Sequence, residues 1–507
     1  MRVRSVLGGA LLAAQTVSAI TLDTTDANSI RSAASTIAHG MMSYYSGNVT
    51  GGTPGLLPGP YYWWEAGAMF GSLIDYWYYT GDSTYNDVVS QALLFQTGPD
   101  ADFMPPNQTK SEGNDDQGFW GLAAMSAAEV GFPNPPEEDP QWLALAQAVF
   151  NSQALRWDNS TCAGGLKWQI FTFNTGYNYK NSISNGCFFN LGARLGYYTK
   201  NETYLDWAEK SYDWCEAVGL VTPNSGEAGY QVFDGTDDNQ NCSSLNHMQW
   251  SYNAGVFLLG AATMWNQTTG DRQARWETRV RGIIAGAGVF FQNQVMYEVA
   301  CEPSANCNTD QLSFKAYLSR WMAASSKVAP FVRDLVAPAL QKSAEGAAQA
   351  CSGGSDGVTC GTRWYQAGWD GSYGVGQQMS ALEVVQGLLI DSVAGPLSNE
   401  TGGTSQGNPA AGTGGDRNPG VPASRISTGD RAGAGILTAV ILVGLLGGAW
   451  YVWLLLGRFM VGRLDGADAV FELLIVVEDV MEALLILLNG RARFMMLHDW
   501  ECYIRGH

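Results

Sequence analysis

The sequence predicts an all-α protein built as an (α/α)6 barrel of six helical hairpins. Apolar and aromatic residues recur at three- and four-residue spacing over residues 26–392, which indicates helices. Every second predicted helix is rich in small residues and apolar nearly all round, which is typical of a buried helix. Similar helix-turn-helix junctions recur at intervals of about 60 residues, which indicates an internal repeat.

The same periodicity predicts twelve helices. In chain order they span residues 26–46, 61–80, 82–97, 115–131, 138–157, 183–199, 201–218, 248–267, 270–293, 308–327, 330–349 and 373–392. The even-numbered helices are the apolar ones and form the predicted inner ring, while their odd-numbered partners are amphipathic. The junctions at residues 78–85 and 197–204 are closely similar, and each closes an inner helix and opens an outer one.

An open helical solenoid is the alternative arrangement of these hairpins. The loops favour the closed ring, because long loops rich in Gly, Asn, Trp and Tyr precede the inner helices while the turns after them are short. Long loops on one face of a rigid scaffold are where a functional site is expected. We therefore expect the site at the starts of the inner helices.

Composition excludes several classes of protein. The 507 residues include 28 Lys and Arg against 47 Asp and Glu, a net charge of -19, so we expect no nucleic-acid partner. A hydrophobic content of 46% excludes a disordered chain, and long apolar runs occur only near the C-terminus. A monomeric globular domain over residues 20–397 is expected.

The two ends of the chain predict export. Residues 1–19 have the charges and short apolar run of a signal peptide, and seven Asn-x-Ser/Thr sequons agree with a secreted glycoprotein. Residues 398–435 are predicted to be a flexible Gly/Ser/Thr/Pro linker. Residues 436–456 are apolar and predict a GPI-attachment signal or a transmembrane segment. The expected location is the outer face of the plasma membrane or the cell wall.

Residues 457–507 do not fit a GPI signal, which ends with its apolar tail. We favour a read-through of the gene model for this extension, with a type I transmembrane anchor as the alternative. The extension carries Cys502, the odd member of nine cysteines.

The other eight cysteines predict four disulfides in an oxidising compartment. Cys301 and Cys307, and Cys351 and Cys360, are close enough in sequence to close local loops. The remaining four have three pairings open to them; they are Cys162, Cys187, Cys215 and Cys242.

No metal or organic cofactor is expected. The chain has four His residues and no CxxC pair, which leaves little for a zinc site or a Ser-His-Asp triad. A calcium ion at residues 234–238 stays an open alternative.

Two adjacent carboxylates, Asp115 and Asp116, stand at the start of the fourth helix. Asn114 or Asp115 would serve as a helix cap, but a cap explains one carboxylate rather than two. Glycoside hydrolysis uses a carboxylate pair, about 5 Å apart in retaining enzymes. Amide groups at the helix end favour ionisation of one carboxyl group, and charge repulsion holds the proton on the other.

Aromatic and amide residues recur at three inner-helix starts, and such side chains suit the C–H faces and hydroxyl groups of sugars. Each cluster alone is typical of core packing, but their recurrence favours a shared cavity. The candidate substrate-binding residues are Trp63, Trp64, Glu65, Gln117, Tyr179, Asn181, Asn185 and Tyr252.

Residues 62–67 (Tyr-Trp-Trp-Glu-Ala-Gly), 113–117 (Gly-Asn-Asp-Asp-Gln) and 185–191 (Asn-Gly-Cys-Phe-Phe-Asn-Leu) resemble glycoside hydrolase family 76, in particular its fungal GPI-anchored cell-wall members. The resemblance extends over residues 20–450. It implies an (α/α)6 barrel and retaining endo-activity on α-1,6-linked mannose, with Asp115 as nucleophile and Asp116 as general acid/base. For the fungal branch it implies transglycosylation from the mannose core of a GPI glycan to wall β-glucan.

Two other interpretations remain at this point. A non-catalytic mannan-binding wall protein on the same barrel would keep the aromatic residues without needing an acid/base pair. Another (α/α)6 glycosidase is the second, although such enzymes often place their two carboxylates on different hairpins.

Overall fold

The computed structural model describes residues 19–108, 111–223, 229–414 and the dipeptide 447–448. Twelve α-helices lie within these residues, in the predicted order. The inner helices are α2 (Trp63–Thr80), α4 (Asn114–Val130), α6 (Ser182–Thr199), α8 (Ser251–Gln267), α10 (Phe314–Val328) and α12 (Val375–Gln386). The outer helices are α1 (Ala27–Met42), α3 (Asn86–Phe95), α5 (Trp142–Leu155), α7 (Glu202–Ala217), α9 (Gly270–Gly286) and α11 (Arg333–Ala350).

The inner helices form a closed ring. Each contacts the next in the order α2, α4, α6, α8, α10 and α12, and α12 contacts α2. Small residues allow this close approach, since a Cβ added to Gly67 would lie 2.7 Å from the ring of Trp120 and one added to Gly260 would lie 2.4 Å from Phe189. The (α/α)6 barrel is confirmed, and the closed ring excludes the open solenoid.

The outer helices bury one face and expose the other. On α7 the buried side chains include Tyr204, Ala208 and Tyr212, at helical spacing, and face the core. The outward faces of α7 and α9 are linked by ion pairs, as between Arg279 and Asp213 at 2.6 Å. We call the end of the barrel where the inner helices begin its mouth, and the end where they finish its base.

Three predicted helix boundaries miss the observed ones by six or seven residues. The helix predicted to reach residue 392 ends at Gln386, because residues 387–392 form a 3-10 helix. The helix predicted to reach residue 293 ends at Gly286, because a turn with positive φ at Asn293 and Gln294 joins two short strands there. The helix predicted to begin at 308 begins at Phe314, because residues 308–313 fold into a separate turn at the mouth.

Nine short strands lie in the loops of the described residues. They are β1 (Tyr179–Asn181), β2 (Val221–Pro223), β3 (Tyr230–Val232), β4 (Gly235–Asp237), β5 (Leu245–Asn246), β6 (Phe291–Gln292), β7 (Val295–Met296), β8 (Cys351–Gly353) and β9 (Thr359–Cys360). The antiparallel sheet β1-β4-β5 leads directly into α6 and holds one side of the mouth. The other strands form two-stranded hairpins: β2-β3, β6-β7 and β8-β9.

The start of the predicted linker packs on the barrel. The backbone N–H of Asn408 donates to Gln147 Oε1 at 2.6 Å, and Asn151 Nδ2 donates to the carbonyls of Pro409 and Ala411 at 3.0 and 2.8 Å. Ser398 is fully buried. The predicted linker start at 398 is therefore too early, because residues 398–414 satisfy their polar groups on α5 and α6. We call residues 397–414 the C-terminal strap.

The prediction of four disulfides is wrong, because three form among the described cysteines. Cys162 bonds Cys242, and the two local pairs bond as expected from their spacing. Cys187 and Cys215 are buried free thiols. Cys187 lies on α6 and faces α4, since a Cβ added to Gly118 would lie 2.8 Å from the Cβ of Cys187. Cys215 lies on the outer helix α7.

Several predictions concern residues that the structure does not describe. The predicted signal peptide lies outside the described residues apart from Ala19, and the apolar segment 436–456 lies outside them apart from 447–448. The extension 457–507 lies wholly outside them. Among the described residues, no helix combines the length and apolar character needed to cross a bilayer.

Candidate active site

A cavity of about 320 Å³ opens at the mouth of the barrel. Its walls come from the starts of five inner helices and the loops before them. The lining residues are Trp64, Asp115, Asp116, Phe119, Trp168, Tyr179, Asn181, Asp234, Trp250, Tyr252, Asn308, Asp310, Gln311 and Phe314. The predicted acidic pair and four of the predicted substrate-binding residues are among them.

The acidic pair occupies the first turn of α4. Asp116 Oδ2 accepts a hydrogen bond from the backbone N–H of Gly113 at 2.6 Å, and Asp115 Oδ1 accepts one from the N–H of Asp116 at 3.1 Å. A Cβ on Gly113 would lie 2.3 Å from Asp115 Oδ1 and 3.1 Å from Asp116 Oδ2. A side chain at position 113 would therefore displace the Asp115 carboxylate.

Burial raises the pKa of both carboxyl groups. The pKa of Asp116 rises to about 6, because burial outweighs the stabilising bond from Gly113. Burial, followed by repulsion from Asp116, raises the pKa of Asp115 well above its usual range. Two acids that repel each other in one buried site share a proton, so the pair titrates as a unit. The bond from Gly113 favours the anion on Asp116 and leaves the proton on Asp115.

Asn181 and Asn185 hold the wall beside the pair. Asn181 caps α6 by accepting from the N–H of Ser184, and its Nδ2 lies 3.5 Å from Asp115 Oδ2. The amide of Asn185 bonds both the N–H and the carbonyl of Leu166, at 2.8 and 3.0 Å. Asn181 therefore reaches the cavity, while Asn185 is fully buried and fixes the loop before it.

Aromatic side chains form the opposite walls. Tyr252 stacks on Phe314 with ring centroids 3.8 Å apart, and Trp64 Nε1 donates to Asp310 Oδ1 at 3.0 Å. The Tyr179 hydroxyl donates to Asp234 Oδ2 at 2.5 Å. These pairs place hydrogen-bonding groups beside flat apolar surfaces, as sugar recognition requires.

Four predicted substrate-binding residues lie outside the cavity lining. Trp63 stacks on Trp120 and donates to Gln96. Glu65 is fully buried and accepts a hydrogen bond from the N–H of Tyr62, the residue before α2. Burial raises the pKa of Glu65 to about 8. Gln117 and Asn185 are also fully buried and hold backbone in place. Glu65, Gln117 and Asn185 are fully buried and Trp63 is partly buried, so none of the four lines the cavity, and the sugar contact predicted for them stays a prediction.

Sequence reasoning missed Asp234 and Asp310, the other two carboxylates of the cavity. Asp310 stands just before an inner helix, where the other cavity residues also cluster, and that position was the available signal. Asp234 precedes β4, and only the pairing of β4 with β1 brings it to the cavity, which no local pattern indicates. Trp168 was missed for the same reason, since a long loop carries it.

The cavity is acidic without a compensating cation. None of its lining residues is Lys, Arg or His. Among the described residues, no cluster of His, Cys, Asp and Glu has the arrangement of a metal site. At the loop considered for calcium, Asp238 pairs with Lys167 and Asp234 bonds Tyr179, so these carboxylates are engaged by the protein.

The sequence that builds this site matches a known family. The profile of Glycosyl hydrolase family 76 matches residues 29–400, which is most of the chain. The chain belongs to glycosyl hydrolase family 76. It is therefore a glycoside hydrolase, as the sequence predicted.

Curated relatives support this family assignment across nearly their full length. The chain is 50% identical over 440 residues to the mannan endo-1,6-alpha-mannosidase DCW1 of Eremothecium gossypii, covering 86% of this chain and 95% of that protein. It is 47% identical over 439 residues to the mannan endo-1,6-alpha-mannosidase DFG5 of Saccharomyces cerevisiae, covering 86% of this chain and 94% of that protein.

Solved structures of the family share the barrel. Dfg5 from Chaetomium thermophilum, solved with glucosamine, is 48% identical with a TM-score of 0.73 over 77% of this chain and 97% of that chain. An inactive variant of a Salegentibacter α-1,6-mannanase, solved with α-1,6-mannotriose, is 19% identical with a TM-score of 0.56 over 71% of this chain and 99% of that chain. The second likeness concerns the fold alone.

Proposed function

We propose that this family 76 enzyme is a retaining endo-α-1,6-mannosidase that acts on mannan or GPI-glycan mannose. The observation that carries the proposal is the buried pair Asp115 and Asp116, with Asp116 held by the N–H of Gly113, in a mouth lined by aromatic and amide side chains. The names of the relatives, at 43 to 50% identity, support α-1,6-mannan as the substrate class.

The proposed reaction is a double displacement. The carboxylate of Asp115 attacks the anomeric carbon, the glycosidic C–O bond breaks, and its electron pair passes to the leaving oxygen, which takes the proton of Asp116. Asp116, now a carboxylate, takes a proton from water as the water oxygen attacks the anomeric carbon. The bond to Asp115 then breaks, and both carboxyl groups return to their starting states.

These roles require the shared proton on Asp116 when the glycosidic bond breaks, whereas the hydrogen bond from Gly113 by itself favours the anion on Asp116. We infer that substrate moves the proton between the neighbours. Positive charge developing at the anomeric carbon stabilises the anion of Asp115. A proton on Asp116 neutralises the negative charge that develops on the leaving oxygen. The pair holds one proton throughout this exchange.

Trapping the covalent glycosyl-enzyme intermediate would identify the nucleophile. A 2-fluoro mannosyl fluoride slows release of the covalent intermediate, and peptide mass mapping then locates the attached sugar. We expect the label on Asp115. A label on Asp116 would reverse the two roles while leaving the reaction class intact.

Delivery to the cell wall is part of the proposal and is supported by the predicted signal peptide, residues 1–19, and by the apolar segment 436–456. An acceptor hydroxyl on wall β-glucan would replace water in the second step and join the donor glycan to the wall. The same cavity serves both outcomes, because Asp116 activates either hydroxyl group in the same way.

The test uses a defined α-1,6-mannose oligosaccharide, with and without a β-glucan oligosaccharide, followed by mass analysis and NMR of the first-formed anomer. We expect internal cleavage with an α-anomeric product, and a mannose-glucan adduct where transfer occurs. Binding without turnover would establish the non-catalytic alternative instead, and a β-anomeric product would contradict retention.

The largest single loss of activity is expected from the acidic pair. Asp115→Asn and Asp116→Asn should each lower kcat about 10³-fold with the melting temperature unchanged or raised, since each removes a destabilising buried acid. Turnover and thermal unfolding are measured on the same preparations. Wild-type turnover in either variant would exclude that residue from catalysis.

A further inference from the structure

A second depression of about 480 Å³ lies beside the cavity. We call it the outer groove. Its walls are the loop before β1 and the turn after β4, with lining residues Trp168, Thr172, Asn174, Thr175, Gly176, Tyr177, Asn178, Tyr179, Asp237 and Asn239. Trp168 and Tyr179 also line the active-site cavity, so the two spaces share one wall.

The outer groove has the chemistry of a site for neutral sugars. Besides backbone at Gly176, its side chains are threonine hydroxyls, asparagine amides and aromatic rings, with Asp237 as the one ionisable carboxylate. Asp237 is itself occupied, since its Oδ1 accepts from the N–H of Asn239 at 2.8 Å. Aromatic faces receive the C–H surface of a pyranose, and amides and hydroxyls both donate to and accept from its hydroxyl groups.

The groove is rigidly built although it is made of loops. Gly176 has φ +92° and its backbone lies close to Trp168, since a Cβ added to Gly176 would lie 2.4 Å from the Trp168 ring. The two walls are joined by the pairing of Tyr179 with Asp237 and by the disulfide Cys162–Cys242. A preformed site loses little ordering entropy when a ligand binds.

Two further contacts fix individual groups of the groove. Lys167 lies 4.5 Å above the ring of Tyr177, and its charge is neutralised by Asp238. Asn174 Nδ2 donates to Gln169 Oε1 at 2.9 Å, which holds the tip of the loop. The aromatic face and the amide are therefore positioned before any sugar arrives.

We infer that the outer groove binds the mannose units that follow those held in the catalytic cavity. The inference rests on the proposed function and adds a binding site for the neighbouring part of the same glycan chain. A chain that crosses Asp115 and leaves along the shared wall passes Trp168 and Tyr179 and reaches Tyr177 and Asn239. Long substrates thus gain contacts that short ones lack.

The test compares kcat/KM for a short and a long α-1,6-mannose oligosaccharide, two or three units against six or more. Tyr177→Ala removes an aromatic face and Asn239→Ala removes an amide on the other wall. Each should lower the ratio of long to short kcat/KM about fivefold, the size expected for one aromatic or hydrogen-bond contact. Phe173→Ala is the matched control, because this exposed residue lies on the same loop outside the groove lining.

Thr175→Trp gives an independent variant that fills the groove from an exposed position without removing a buried contact. It should weaken binding of the long oligosaccharide, measured by calorimetry in the Asp115→Asn background, while binding of the short one is kept. An unchanged long-to-short ratio of kcat/KM in Tyr177→Ala and Asn239→Ala, together with unchanged binding of the long oligosaccharide in Thr175→Trp, would overturn the groove assignment alone. Loss of binding to a β-glucan oligosaccharide, with the mannose ratio unchanged, would also overturn it and assign the groove to the acceptor.

Discussion

The mouth and the base of the barrel treat carboxylates in opposite ways. At the mouth, Asp115, Asp116, Asp234 and Asp310 line one cavity, and none forms an ion pair among the described residues. At the base, the carboxylates around a cavity of about 70 Å³ are paired with arginine. Arg320 lies 2.9 Å from Asp75 and 2.7 Å from Glu383, and Arg194 lies 2.6 Å from Glu129.

The same helices carry both arrangements, so the difference cannot come from the fold. α4 begins with the acidic pair and ends near Glu129, and α2 begins beside Trp64 and carries Asp75 toward its end. At the mouth no cation offsets burial, which raises the pKa of Asp115 and Asp116. At the base burial also raises the pKa of Asp75, to about 7, but Arg320 links Asp75 to Glu383 on a neighbouring helix. The mouth is therefore suited to proton transfer and the base to holding helices together.

Removing Arg320, which pairs with two carboxylates at the base, should have the largest effect on stability. Arg320→Met leaves Asp75 and Glu383 buried without their partner, which we expect to lower the free energy of unfolding by about 3–5 kcal/mol. Arg333→Met, which breaks an exposed pair with Asp391, should cost about 0–1 kcal/mol. Chemical denaturation measures both, and equal losses would remove the distinction between base and surface.

Two glycines at opposite ends of α4 separate activity from stability. Gly113→Ala should lower kcat about 10²-fold, because the new Cβ pushes the acidic pair out of position. Gly131→Ala, at φ +67° near the base, should cost about 1 kcal/mol of stability and leave kcat unchanged. Turnover per folded molecule distinguishes them. Full activity in Gly113→Ala would show that the mouth tolerates displacement of its acids.

A smaller effect is expected where the C-terminal strap meets α5. Asn151→Ala removes two hydrogen bonds to the strap and should lower the free energy of unfolding by about 1–2 kcal/mol. Asn134→Ala removes an exposed bond to Thr404 in the same strap and should cost less than about 0.5 kcal/mol. Denaturant midpoints measure both. An unaltered midpoint in Asn151→Ala would restore the linker boundary predicted from composition.

Burial of two glutamates makes stability depend on pH. Burial raises the pKa of Glu65 and of Glu298 to about 8, above the value near 4.3 of an unfolded chain. The folded protein therefore binds more protons, and this stability is fully present below about pH 4 and is lost as pH rises through about 8. The melting temperature should fall between pH 5 and pH 9. Glu65→Gln should flatten that fall, while exposed Glu345→Gln should not; a steeper fall in Glu65→Gln would contradict the cause.

The fold was predictable because its signals are local. Apolar periodicity found all twelve helices, and repeated junctions such as residues 78–85 gave their pairing. Helix ends were missed where a turn or 3-10 segment intervened, as at Gly286 and Phe314. The linker boundary was missed because Gly, Ser and Asn in residues 398–414 give the composition of a free chain, while their backbone groups bond to the barrel.

The site was predictable only in part. The acidic pair and the cavity residues Trp64, Tyr179, Asn181 and Tyr252 stand at helix starts, so sequence position located them. Asp234 and Trp168 arrive through loops paired across the sequence, which a local pattern does not encode. Trp63 and Glu65 lie off the cavity because of the way α2 is rotated about its axis, and the sequence of a helix that is apolar all round does not indicate that rotation.

The contact of α12 with α2 has a consequence for how the protein is made. α2 begins at Trp63 and its partner α12 at Val375, so a chain synthesised from its N-terminus must wait for almost the entire domain before the ring can close. Until then the apolar flank of α2 that α12 will cover lacks its partner, and such surfaces are prone to aggregation during folding. The contact between α12 and α2 is therefore the last part of the inner ring to form during synthesis.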